Sequence, residues 1–258
     1  MSAALWLVVP AAGQGRRMGA DRPKQYLEIA GRPVLACTLA RLYAAFPGAR
    51  LCLCLDADDT RFDPVWVPFA EWRRVSGGNE RVDSVTHALE AIAGEASDDD
   101  LVLVHDVARP CVTVADLERL HAALADDPVG GLLASPVADT MKRDDGAGRV
   151  AATELRAGLW HALTPQGFRY GLLRQALAAA VKAGIPVTDE ASAVETLGLS
   201  PQLVKGRRDN LKITHPEDLA LARQILAAQS ATEPASDQSA PAPALAGAGV
   251  VDRENRER

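Results

Sequence analysis

Three segments of this 258-residue chain combine residue types and spacings suited to phosphate chemistry. The first runs from Leu5 to Met18, L-W-L-V-V-P-A-A-G-Q-G-R-R-M, and leads into Pro23, Lys24 and Gln25. Leu5, Leu7, Val8 and Val9 make the short apolar run of a buried parallel strand, and Gly13 and Gly15 let backbone N–H groups approach a ligand closely. Arg16, Arg17 and Lys24 follow. Guanidinium forks grip phosphate oxygens in pairs and an ammonium adds a point charge, so the expected ligand is a polyphosphate, hence a nucleoside triphosphate. The plain alternative is an ordinary βα turn with solvated arginines. Two better known glycine motifs are excluded: the spacing from Gly13 to Gly19 breaks the Walker pattern, and Met18 stands where a dinucleotide fingerprint needs its third glycine.

The second segment, V-S-G-G-N-E-R-V-D-S-V from Val75 to Val85, is again strand, glycines and helix start. Gly77 and Gly78 admit a base or ribose against bare backbone, and Ser84 offers a hydrogen bond; a simple connection is the alternative. In the third, L-V-L-V-H-D-V-A-R-P, Asp106 falls directly after an apolar strand and His105, where a metal ligand belongs. Mg²⁺ favours one or two carboxylates plus substrate phosphates, and Asp209 in G-R-R-D-N-L-K is the best second carboxylate, although a solvated turn acid reads equally well. Arg109 and Lys212 add phosphate-binding charge. Nucleophile chemistry finds no support: G-x-S-x-G and H-E-x-x-H are absent, and His87, His121, His161 and His215 are scattered singly.

These segments need a scaffold that gathers strand ends. Strands are predicted at 5–9, 50–55, 72–75, 101–105, 130–135 and 202–205, and helices at 33–46, 81–93, 114–125, 168–183 and 216–228. The alternation predicts a Rossmann-like α/β fold, a mostly parallel sheet with helices on both faces, whose ligands collect at the carboxyl ends of the strands. Residues from about 136 to 157 break the rhythm, with a hairpin signal at Asp145-Gly146, and predict a protruding β-arm that a second copy of the chain would cover. One domain is expected over 1–229. From Ser230 the chain is too poor in large apolar residues to pack and is expected to be disordered.

Composition narrows the partners. A net charge of −6 with 48% hydrophobic residues points to a globular chain with no general affinity for nucleic acid or membrane surfaces. Cys37, Cys52, Cys54 and Cys111 lack metal-site spacing and are expected as buried thiols in a reducing, cytoplasmic setting. The N-terminal apolar run is too short to span a membrane.

The ordered motifs P-A-A-G-x-G-x-R-M with P-K-Q, G-G-x-x-R-x-x-S-V, H-D-x-A-R-P, D-T-x-K, G-L-W-x-x-x-T-P-Q, T-D-E-A-S and G-x-x-x-N-x-K-x-T-x-P-E-D resemble the 2-C-methyl-D-erythritol 4-phosphate cytidylyltransferases across residues 5–228. The resemblance implies transfer of CMP from CTP to methylerythritol 4-phosphate with release of pyrophosphate. It assigns Ala11, Ala12, Gly13, Gly78, Ser84 and Asp106 to CTP, Arg17 and Lys24 to catalysis at its phosphates, and Asp106 and Asp209 to Mg²⁺. Arg109, Thr188 and Lys212 would hold the sugar phosphate, joined by Thr140 and Arg156 from the arm of a homodimer partner. Asn79, where many relatives carry an acid, and Val107 depart from the family pattern. The rivals are a related nucleotidylyltransferase acting on another substrate such as ribitol 5-phosphate, and a non-catalytic nucleotide-binding protein. D-T-M-K and T-D-E-A-S favour methylerythritol phosphate over the first, and Arg17, Lys24 and Asp106 favour catalysis over the second.

Overall fold

A computed structural model describes residues 3–13 and 22–232. In chain order the elements are β1 (Leu5–Pro10), β2 (Glu28–Ile29), β3 (Arg32–Pro33), α1 (Val34–Ala45), β4 (Arg50–Leu55), β5 (Trp72–Ser76), α2 (Arg81–Ala91) and β6 (Leu101–Val104). Then come α3 (Val114–Leu124), β7 (Gly131–Pro136), β8 (Met141–Asp144), β9 (Val150–Glu154), β10 (Trp160–Arg169), α4 (Tyr170–Ala183), α5 (Glu190–Glu195), β11 (Gln202–Lys205) and α6 (Pro216–Thr232).

The central sheet has seven strands in the order β11-β7-β10-β6-β1-β4-β5. β1 lies between β6 and β4, parallel to both, which is why its residues are apolar on both faces. Successive side chains of a strand point to opposite faces. Leu7 and Val9 accordingly join the core that holds Leu35 and Leu39 of α1 and Leu117 and Leu120 of α3. Trp6 and Val8 join the opposite core, with Val85 and Leu89 of α2 and Leu173 and Leu177 of α4. Each such side chain, fully buried, contributes about 1.5–3 kcal/mol. A third, smaller cluster seats α6 on Ala108, Cys111 and Ile213 beside the strand ends.

The predicted helices and the strands at 50–55 and 202–205 form where the sequence places them, with boundary shifts of a few residues. Two of the predicted elements differ, and β2, β3 and α5 form where none was predicted. The predicted helix start at Phe168 instead belongs to β10, which runs antiparallel between β6 and β7 and reverses one strand of an otherwise parallel sheet. Pro165 conceals that strand in the sequence, because proline cannot donate to a ladder; here it falls in the register shift between Ala162 and Gln166. α6 continues to Thr232, past the boundary expected near 229; 233–258 lie outside the described residues, as does the disorder expected there.

β8 and β9 pair only with each other, forming the expected arm between β7 and β10. Asp145 shapes its tip, accepting backbone hydrogen bonds from Ala147 and Arg149. All four thiols are free of disulfides and Cys52, Cys54 and Cys111 are buried, as expected; Cys37, near the start of α1, is only partly buried. Among the described residues no helix is long and apolar enough to cross a membrane.

Candidate active site

A cavity of about 540 Å³ opens at the carboxyl ends of the parallel strands, between Ala11–Gly13 after β1, Gly78–Ser84 after β5 and Asp106–Ala108 after β6. Its β1 side is held from below. The Ala11 N–H donates to the Cys54 carbonyl at 2.8 Å, and Gln25, 2% exposed, donates its Nε2–H to the Ala11 carbonyl at 2.8 Å. The P-K-Q segment thus serves two ends: Gln25 fixes the start of the glycine loop while Lys24 lines the cavity. The Lys24 ammonium donates to the Ile213 carbonyl at 3.2 Å.

The double glycine is required by space. A Cβ on Gly77 would stand 2.2 Å from the Ala12 Cβ, so only glycine lets the loops after β1 and β5 close on each other. The Gly78 N–H donates to Ser84 Oγ at 3.1 Å, so Ser84 shapes the loop as well as lining the cavity. α2 starts there through a capping box in which Glu80 and Asp83 exchange side-chain and backbone bonds.

Asp106 is the electrostatic centre. It is 6% exposed, and burial opposes its charge, yet Arg81, Lys212 and Arg109 outweigh that penalty and hold its carboxyl well below the usual carboxylate range. Arg81 Nε donates to Oδ1 at 2.7 Å, and Lys212 Nζ lies 2.8 Å and Arg109 Nε 3.6 Å from Oδ2. Arg109 is itself anchored by a 2.6 Å bond from Nη1 to the Asn210 carbonyl. Among the described residues, the buried side-chain polar atoms without a hydrogen-bond partner are Arg109 Nε and Asn210 Oδ1, both in this cluster.

The backbone of Asp106 is placed by a buried relay. Its N–H donates to Thr164 Oγ1 at 3.1 Å, and that hydroxyl meets His105 Nδ1 at 3.0 Å. His105 Nε2 lies 3.1 Å from the Arg109 carbonyl, which can only accept, so the proton of the neutral ring sits on Nε2 and Nδ1 accepts from Thr164. Complete burial pushes the His105 pKa down to about 4, against the pull of Asp106. An unfolded chain protonates this histidine near pH 6.5, so below that value it binds more protons than the folded one and stability falls as pH falls towards 4. His105 alone should cost about 2 kcal/mol between pH 7 and pH 5. Urea unfolding at the two pH values should show a smaller drop in His105→Asn than in the native chain; equal drops would refute the assignment.

The remaining expected site residues divide. Lys212 lines the cavity and Arg109 stands behind Asp106. Thr188 lines a smaller recess of about 100 Å³ with Glu80, Arg81 and Glu190. Thr140 and Arg156 are exposed on the arm, where Arg156 donates to the Ala138 carbonyl, and neither lines the cavity. Asp209 is not brought into contact with Asp106: Arg207, two residues earlier, takes both its oxygens, with Nη2 at 2.6 Å, and Gln229 adds a bond at 3.4 Å. Those bonds keep the Asp209 carboxyl below its ordinary value despite partial burial, and it borders a separate basic hollow with Arg119 and Arg208. Arg17 lies outside the described residues. Sequence reasoning missed Gln25, Arg81, Thr164 and Glu190 as site residues, although all four stand inside the motifs it singled out.

The described residues contain no cluster of three or more acidic, histidine or cysteine side chains able to hold a metal. One ionised carboxylate at the rim of a polar cavity does fit Mg²⁺, which keeps most of its shell as water and substrate phosphates.

Comparison with known proteins bears on the chemistry. The family model for 2-C-methyl-D-erythritol 4-phosphate cytidylyltransferase matches residues 5–228. A protein of that description from Chromohalobacter salexigens is 68% identical over 90% of this chain and 93% of its own. One from Ectopseudomonas mendocina is 55% identical over 87% and 96%. Among solved structures, a 4-diphosphocytidyl-2C-methyl-D-erythritol synthase superposes with a TM-score of 0.77 at 38% identity, covering 88% of this chain and 99% of the other. The Francisella tularensis 2-C-methyl-D-erythritol 4-phosphate cytidylyltransferase gives 0.75 at 31% identity, covering 86% and 100%.

Proposed function

The chain belongs to the 2-C-methyl-D-erythritol 4-phosphate cytidylyltransferase family, and we infer that its strand-end cavity transfers CMP from CTP to methylerythritol 4-phosphate in isoprenoid precursor biosynthesis, releasing pyrophosphate. The observation that carries the site assignment is Asp106, ionised, ringed by Arg81, Lys212 and Arg109, and sharing one cavity with Ala11–Gly13 and Lys24. Both reactants are anions. The chain's task is therefore to neutralise charge and align a phosphate oxygen of the acceptor with the α-phosphorus of CTP; no protein nucleophile is needed.

Each residue then has work to do. The backbone of Ala11–Gly13 and Gly78 receives the nucleotide where side chains would block it. Lys24, with Arg17, offsets the charge that grows as pyrophosphate leaves. Lys212, Arg109 and Thr188 suit the acceptor phosphate. Mg²⁺ would be held by Asp106 together with the phosphates of CTP, and when bound supplies further neutralisation at those phosphates; Asp209 would have to release Arg207 to share it.

Partner arms complete the site in this reading. Met141, Val150 and Leu155 expose apolar surface on the arm, Leu155 to 87%, and a two-stranded ribbon alone is marginal in water. A second copy of the chain would cover it and deliver Thr140 and Arg156 to the neighbouring cavity. Mixing Arg156→Ala with Lys24→Ala subunits should restore about a quarter of native activity if half the sites in half-mixed dimers are intact, on the order expected from random C₂ pairing. No recovery in verified heterodimers would exclude the shared site. Such a homodimer would work in the cytoplasm.

The whole reading is tested by a matrix of the four nucleoside triphosphates against methylerythritol 4-phosphate, ribitol 5-phosphate and a sugar 1-phosphate, scored for pyrophosphate with and without Mg²⁺. Release is expected with CTP and methylerythritol 4-phosphate and only with the metal. A preference for another pair would reassign the substrate, and no release with any would remove the activity.

A further inference from the structure

The arginine of G-G-x-x-R and the glutamate of T-D-E-A-S lie 109 residues apart and meet in the structure. Arg81 Nη1 donates to Glu190 Oε1 at 2.6 Å and Nη2 to Oε2 at 2.9 Å, a parallel fork, while Nε is left for Asp106 Oδ1 at 2.7 Å. All three guanidinium nitrogens are thus committed to two carboxylates. The Glu190 side chain is 2% exposed and the Arg81 side chain 25%. Arg81 also lines both the large cavity and the recess that contains Thr188.

The carboxylate end is fixed as firmly as the guanidinium end. Asp189 caps α5, accepting from the Ser192 N–H at 2.9 Å, and Gln166 of β10 donates to Asp189 at 2.8 Å while accepting from the Ala191 N–H at 2.8 Å. Thr188, one residue before this cap, bonds through its N–H to Ser192 Oγ at 3.1 Å. A planar fork between two such anchors has one orientation, and that orientation decides where Asp106 points.

We propose that Arg81 and Glu190 are positioning residues for cytidylyl transfer, whose buried fork locks the Asp106 carboxylate and the Thr188 turn into one register. A core ion pair serving stability alone would have no use for the third bond to a carboxylate that faces the cavity. Glu190 has a second effect, because it balances Arg81: without it, three cations surround Asp106 as the single anion, and an arginine freed from its fork can swing onto Asp106. The proposal rests on the cytidylyltransferase reading, which native activity with CTP and methylerythritol 4-phosphate tests separately.

Full-length Glu190→Gln, Arg81→Lys and the double variant decide it, each measured for kcat and both KM values per folded active site, with melting followed by circular dichroism. Misplacing a reacting geometry by about 1 Å costs on the order of 10²-fold in rate, so each single variant should lose about 10- to 100-fold in kcat with the CTP KM changed less than about threefold. The double variant should be no slower than the worse single one, because the two residues act as a unit. Removing one partner of a buried pair is costly to the fold. Should Glu190→Gln fail to fold, Arg81→Lys, which keeps the charge and loses the fork, carries the test with Glu190→Asp. Folded variants with kcat within threefold of native, losses confined to melting temperature, or losses that multiply in the double variant would each overturn the proposal.

Discussion

Replacing Lys24 with alanine is expected to slow turnover by on the order of 10²–10³-fold, the typical cost of removing one preorganised donor from a transition state, while CTP binding weakens far less. The reason lies in when its charge is used. Bound CTP already has its charge spread over three phosphates and compensated by several partners. As the bond to the α-phosphorus breaks, additional charge collects on the departing pyrophosphate, and a cation held beside it stabilises that state more than the ground state. The Ile213 carbonyl, 3.2 Å from Nζ, and the position of Lys24 on the cavity wall keep the ammonium in place before the reaction, so no reorganisation is needed. Pyrophosphate release gives kcat, and calorimetric titration with CTP gives affinity. Equal losses in the two would show that Lys24 serves binding alone. Arg17→Ala is expected to follow the same pattern.

The second large effect is at Asp106. Asp106→Asn keeps the shape and removes the charge, leaving Arg81, Lys212 and Arg109 around a neutral amide that keeps one acceptor oxygen and puts an NH2 donor where the other oxygen had accepted. Breaking a buried charge pair typically costs 3–5 kcal/mol, and Asp106 is 6% exposed, so a loss of about 3 kcal/mol in urea unfolding is expected. Catalysis should fall at least about 10²-fold, since the amide removes the charge that holds Lys212 and that would anchor Mg²⁺ in the proposed site. Raising Mg²⁺ should not restore the rate. Restoration by metal alone would place the essential ligand elsewhere, and unchanged stability would mean that the three cations are neutralised without Asp106.

Local signals were strong wherever one stretch of chain carries its own instructions. The uninterrupted apolar run at Leu101–Val104 reads as a strand buried on both faces, and in an alternating α/β chain that places Asp106, two residues beyond it, on the ligand rim. The hairpin at Asp145-Gly146 likewise follows from its turn residues. β10 escaped because Pro165 argues against a strand and only the register of β7, nearly thirty residues earlier, shows where the ladder tolerates it. α5 escaped because six residues are too few to display helical periodicity; its cap, Asp189 with Ser192, was its only local mark.

For the site, residue types at the ends of predicted strands pointed to Lys24, Gly78, Ser84 and Asp106, and the cavity gathers those four. What they could not supply was pairing. Asp209, in the loop that opens at Gly206, was the best second carboxylate and read equally well as a solvated turn acid; in the structure Arg207 beside it takes its carboxylate. Glu190 looked like one acid among many until the fold carried it onto Arg81.

The sequence by itself therefore determined the parallel α/β frame, the rim on which the chemistry sits and the anionic nature of its ligands. Each of those depends on periodicity, turn chemistry or residue type within one short segment. Tertiary structure alone decided which charges compensate which: that Asp106 stays ionised among Arg109 of its own loop, Arg81 at the start of α2 and Lys212 from beyond β11, and that Arg81 spends its fork on Glu190. Coulomb and hydrogen-bond energies depend on distances of a few ångströms and on burial, and for residues about a hundred positions apart only the packed fold sets either.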